Sequence, residues 1–134
     1  MIRFLCKSNG EMNGNSLLLD TNIVLYLLNG DQTLVSLLEE KQLYLSFISE
    51  LELLSYKGIS EQEGATIKRF VKECIVVDMA SDIKGICIKL RKRHNLKLPD
   101  AIIAATARFL NIPLVSADHD FIKVKEADIF FYEK

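Results

Sequence analysis

Short apolar runs alternate along this chain with longer stretches whose apolar residues recur every three or four positions. That alternation is the mark of βαβ units and a mostly parallel sheet. Residues 16–19 predict a first strand and 21–28 a helix. Asn29-Gly30-Asp31 is a stop-and-restart signal, with Gly30 ending one helix and Asp31 capping the next, which runs to about Glu40. Residues 43–47 predict a second strand and 49–56 a helix closed by Lys57-Gly58. Ser60 with Glu63 three positions later is a capping box, opening a helix to about Lys72. Residues 74–77 form an apolar, β-branched run expected to be a buried strand. Ser81 or Asp82 opens a helix carrying Ile83, Ile86, Cys87 and Leu90 at helical spacing, and Pro99 suits the first turn of the next, which reaches about Leu110. A fourth strand is expected over 113–116, a short helical turn over 121–124 and a last strand over 129–132.

The 134 residues suit one domain, taken as 16–134, preceded by a lead of uncertain meaning over 1–15 in which Met12 could itself be the start. That lead lacks the apolar segment of a secretory signal, and no apolar run reaches the ~18 residues that span a bilayer. A net charge of −1 offers no global attraction to nucleic acid, so any such surface must be local. Cys6, Cys74 and Cys87 have no paired short spacing, and His94 and His119 stand far apart, which argues against zinc and for reduced core thiols in a cytoplasmic protein.

Four acids draw attention. Asp20 and Asp118 follow predicted strands, Asp100 falls in the first turn of a helix, and Glu52 interrupts an apolar helix whose Leu51, Leu53 and Leu54 are expected to be buried. Each has an ordinary explanation as a helix cap, a dipole partner or a solvated side chain. Together they are harder to dismiss, because an open parallel sheet binds ligands beyond the carboxyl ends of its strands. Like charges ~4 Å apart cost about 4 kcal/mol per pair at an effective dielectric of ~20, so a converging set calls for cations. Oxygen ligands favour Mg²⁺ or Mn²⁺, and the matching chemistry is phosphodiester hydrolysis without a protein nucleophile.

LLLDTNIVLYLL, SFISELELLSY, LKLPDAIIAATAR and PLVSADHDF, in this order from Leu17 to Phe121, resemble the motifs of the PIN-domain family. The resemblance implies a three-layer α/β/α sandwich around a mostly parallel sheet of about five strands. It implies Asp20, Glu52, Asp100 and Asp118 as catalytic metal-binding acids for Mg²⁺ or Mn²⁺, with Asp120 as an additional or substitute ligand. Thr21, Asn22 and Ser116 become polar supports near the metal or the scissile phosphate. Glu50 rivals Glu52, and the Glu-Leu-Leu register favours Glu52. Short chains of this kind are similar to VapC-type toxins, which implies a ribonuclease with RNA as substrate, an antitoxin partner and a homodimer.

Six basic residues without an acid (Lys84, Lys89, Arg91, Lys92, Arg93 and Lys97) lead into Asp100, where they form either a solvated face or a rest for phosphate, with Lys97 as the substrate contact. The leucine-rich stretch 23–38 serves the core, with any surplus left for a dimer or an antitoxin helix. A PIN-like domain without catalysis, acting as an RNA-binding or assembly module, is the alternative. Phosphotransfer folds fit less well: Asp20-Thr21-Asn22 lacks a second aspartate two residues on, and no receiver-type acidic pair or late lysine is evident.

Overall fold

Five strands pair into one all-parallel sheet in the order β3-β2-β1-β4-β5: β1 (Ser16–Leu19), β2 (Gln42–Ser46), β3 (Ile75–Val77), β4 (Leu114–Ser116) and β5 (Ile129–Phe131). The structure is a computed structural model that describes residues 15–133. The N-terminal lead, with Cys6 and Met12, thus lies almost wholly outside the described residues. Helices α1 (Thr21–Leu28) and α2 (Gln32–Leu38) join β1 to β2, and α3 (Phe47–Leu54) and α4 (Glu61–Glu73) join β2 to β3. After β3 the chain returns through α5 (Ser81–Arg93) and α6 (Leu98–Leu110) to β4, on the far side of β1. The strand order therefore reverses between β1 and β4, and a crevice opens beyond their carboxyl ends.

Successive side chains of a strand point to opposite faces, and here both faces are covered. Leu18, Tyr44 and Leu114 pack with α5, α6, Phe121 and Val124. Their neighbours Leu19, Leu43, Leu45 and Val115 pack with α1, α2, α4 and Leu53 on the other face. This is the expected three-layer arrangement. Ala101, Ala104, Ala105 and Ala107 are all buried, so small side chains let α6 lie close against its neighbours. Leu27, Leu34 and Leu38 belong to the core, while Leu37 keeps 38% of its surface exposed. Cys74 and Cys87 are both buried.

The boundaries differ from the sequence reading where a cap decides. Ser46 accepts from Ile48 N at 3.2 Å, so Phe47 joins α3 and that helix ends at Leu54 rather than 56. Glu40, with φ 64°, turns the chain into β2 after a helix that stops at Leu38. Ala80 precedes α5 with no side-chain cap, and Ser81 is already helical. The 3₁₀ turn forms at His119–Phe121, earlier than expected, because Asp118 caps it. β3 is half-buried rather than buried, since it lies at the sheet edge, and Cys74 ends α4. The expectation that Leu51, Leu53 and Leu54 are all buried fails for two of them: Leu53 faces the core, whereas Leu51 and Leu54 are 54% and 48% exposed.

Candidate active site

β1 ends at Leu19, and the next residue, Asp20, caps α1 in extended backbone conformation. Its Oδ1 accepts from Thr21 N at 2.8 Å and its Oδ2 from Ser116 Oγ at 2.8 Å. Asp20 N donates to Val115 O at 3.0 Å, which ties the residue to both central strands. Ser116 Oγ also accepts from Asp118 N at 3.0 Å, so one buried hydroxyl orients two acids.

On the β2 side, Glu52 projects from α3 and accepts from Thr21 Oγ1 at 2.6 Å, with Ser49 Oγ 3.0 Å from the same hydroxyl. Asp100 stands in the first turn of α6 after Pro99. Asp118 Oδ1 accepts from Asp120 N at 2.9 Å.

These elements bring Asp20, Thr21, Asn22, Glu52, Asp100 and Asp118 around one open cleft of about 320 Å³. Carboxylate oxygens of Asp100, Asp118 and Asp120 lie within 4.8 Å of one another. Glu50 is not among the lining residues, nor is Lys97. Thr21 reaches the cleft through Glu52, Asn22 is exposed at its wall, and Ser116 is buried beneath it.

Crowding of like charges registers in the acids. Burial first, and then Asp118, Asp20 and Asp120, push the Asp100 carboxyl up to about 6 against the pull of Lys97. Asp20 is also raised, by burial first and then by Asp118 and Glu52, against the pull of Ser116 and Thr21 N. Carboxyls held above their ordinary range in a shared cleft characterise a functional site. The donors are all oxygen, which fits a hard divalent cation and not a soft one.

Lys89, Arg91 and Arg93 of the basic block lie outside the cleft. Arg93 Nη1 and His94 Nε2 donate to Glu126 at 3.1 and 2.9 Å, and Arg91 Nε donates to Leu96 O at 3.4 Å. Lys89 and Arg93 line a groove between α5 and α6, away from the acids. Sequence reading did not single out Ser49 and Tyr56. Both lie on the Glu52 side at helical spacing, three residues before and four after, and that spacing is the signal that could have found them.

A parallel α/β fold with an acidic crevice at its switch point defines the class. The PIN-domain family model matches residues 17–127, and the chain belongs to that family. Among solved structures it is similar to a toxin–antitoxin complex from Klebsiella pneumoniae, with 26% identity and a TM-score of 0.76 over 88% of this chain and 99% of that one. A VapBC2 structure from Rickettsia felis bound to a promoter DNA fragment gives 21% identity and a TM-score of 0.78 over 88% and 99%. VapBC-1 from nontypeable Haemophilus influenzae gives 24% and 0.69 over 89% and 99%. None of the curated proteins matches. Among the described residues, no helix is long and apolar enough to cross a membrane.

Proposed function

We propose that this chain is a Mg²⁺- or Mn²⁺-dependent endoribonuclease, the toxin of a toxin–antitoxin pair. The observation that carries this reading is the convergence of Asp100, Asp118 and Asp120 within 4.8 Å, in a crevice that Asp20 and Glu52 share. Asp20, Glu52, Asp100 and Asp118 would hold the cation, with Asp120 as a further ligand. The chemistry a divalent ion held by these acids would supply is a bound water of lowered pKa and neutralisation of charge on the phosphate and leaving oxygen.

The chain's own groups prepare that site. Ser116 and Thr21 N hold Asp20 in a single orientation, and Thr21 Oγ1 holds Glu52. Asn22, exposed at the cleft wall, would contact the phosphate backbone. Lys97, which draws Asp100 towards ionisation, adds local positive charge at the approach to the cleft. The toxin reading is supported by the likeness to toxin–antitoxin and VapBC structures. An antitoxin would be the partner in a cytoplasmic complex, and exposed Leu51 and Leu54 on α3 suit a face covered by a second copy.

The deciding test is cleavage of mixed cellular RNA by purified protein freed of any partner, with Mn²⁺ or Mg²⁺, with EDTA, and with Asp20→Asn. Discrete metal-dependent fragments absent from the variant are expected. A folded protein that neither binds Mn²⁺ nor cuts would overturn the reading.

A further inference from the structure

The acid cleft has two larger side chains beside its carboxylates. Leu25 and Tyr56 line it, and the same two side chains line a second cavity of about 490 Å³ between α1 and the start of α4. That volume falls within the ~300–1,000 Å³ typical of small-molecule sites. Tyr56 also walls a third depression beside Leu53 and Ile59, so its ring stands where three cavities meet. It is 48% exposed, although it follows directly on a helix packed against the sheet.

The walls of the second cavity have a definite chemistry. Leu25, Leu28, Ile59 and Ile67 provide apolar surface. Ser60 and Glu63 are engaged with one another in the capping box, and Thr66 Oγ1 donates to Gln62 O at 3.0 Å. The exposed carboxamides of Asn29 and Gln62 offer donors and acceptors at its wall. Among the described residues, no lysine or arginine lines the cavity. It is thus unsuited to phosphate, which requires positive charge, and suited to a neutral, flat, hydrogen-bonding group.

We propose that this cavity is the subsite for an unpaired nucleobase of the RNA strand whose phosphate lies at the acid cluster. Tyr56 is the stacking platform, and Gln62 and Asn29 read the base edge. This inference rests on the ribonuclease reading and specifies its substrate as single-stranded at the cut. The shared Leu25 and Tyr56 wall supports it, because a base and its backbone phosphate belong to one nucleotide unit and must be housed in neighbouring spaces. Single-stranded RNA is recognised in this way, by stacking on aromatic rings and by hydrogen bonds to splayed base edges.

The test titrates ¹⁵N-labelled Asp20→Asn protein, which leaves RNA uncut, with the trinucleotides AAA, CCC, GGG and UUU in Mg²⁺. Wild-type protein in Ca²⁺ serves as the second sample if that variant does not fold. Amide shifts across residues 58–66 and a severalfold preference for one trimer are expected. Tyr56→Ala should weaken that trimer by about fivefold or more, with Tyr56→Phe close to wild type, and Gln62→Ala should flatten the base preference. Shifts confined to the acid cleft, unchanged affinity in Tyr56→Ala, or equal affinity for all four trimers would each overturn the subsite. So would a cavity that ignores the trimers and responds only to the partner protein. The two readings separate in parallel cleavage assays: cutting without a response at 58–66 removes the subsite alone, whereas a response without cutting removes the nuclease and leaves a base-binding site.

Discussion

Asp100 sits in the first turn of α6, where the helix dipole favours a negative charge, yet its carboxyl is pushed up to about 6. Burial and three neighbouring acids outweigh both the dipole and Lys97. The sign of the consequence follows from linkage. A folded-state pKa above the ordinary 3.8 means that ionised Asp100 destabilises the metal-free fold; this cost is absent below 3.8, grows as pH rises and is complete above about 6. A divalent cation reverses it, so Mn²⁺ affinity should rise with pH up to about 6 and then flatten, with proton release on binding below that point. Asp100→Asn should raise the melting temperature in EDTA at pH 7 by a few degrees and cut Mn²⁺ affinity at least about tenfold, as read by thermal melts and calorimetry. An unchanged melting temperature would contradict the crowding argument. Ser116→Ala removes the hydroxyl that orients two acids, and should cost about 1–3 kcal/mol in denaturant unfolding while lowering Mn²⁺ affinity.

Elements carry the next set of constraints. The turn between α5 and α6 leads into Asp100, and the segment after Asp120 reaches back to hold it. Glu126 accepts from His94 and Arg93, and Lys123 Nζ donates to Asn95 O at 3.0 Å. These bonds, His94 first, hold the Glu126 carboxyl at about 2. Because that value lies below the ordinary 4.5, the stabilisation is present above 4.5 and is lost as pH falls towards 2. Glu126→Gln should therefore be less stable than wild type at pH 7, by under about 1 kcal/mol for a pair so near the surface, with the gap closing between pH 4.5 and 2 in chemical unfolding. At α4, the reciprocal Ser60–Glu63 bonds fix where the helix starts, and Ser60→Ala should cost about 1 kcal/mol.

At the scale of the whole molecule, the site exists because the strand order reverses between β1 and β4. That reversal sets the ends of two central strands, Asp20 and Asp118, at one crevice. A cation that binds the folded cluster and not the unfolded chain stabilises by mass action, about 2.7 kcal/mol at a hundredfold excess over Kd. Melting temperature should thus climb with Mn²⁺ concentration in the wild type and stay flat in Asp20→Asn. A wild-type protein indifferent to Mn²⁺ would contradict the metal-site reading.

The sequence by itself determined the elements and their type, because strand alternation, helical spacing, the capping box at Ser60 and the acid after β1 are local patterns read over a few residues. It also placed acids just beyond strand ends and in the first turn of a helix, next to the crevice that an open parallel sheet leaves. The tertiary structure alone decided which of them meet. Asp100 meets Asp118 and Asp120 only once α6 packs against β4 and Phe121, and Glu52 faces the cleft while its neighbours Leu51 and Leu54 are exposed. Ser116 turns beneath Asp20, 96 residues away in the chain, and Lys89 and Arg93 of the basic block line a groove of their own on α5 and α6. Local patterning fixes each residue's backbone conformation, but a side chain's partners come from distant segments whose approach depends on the packing of both sheet faces at once.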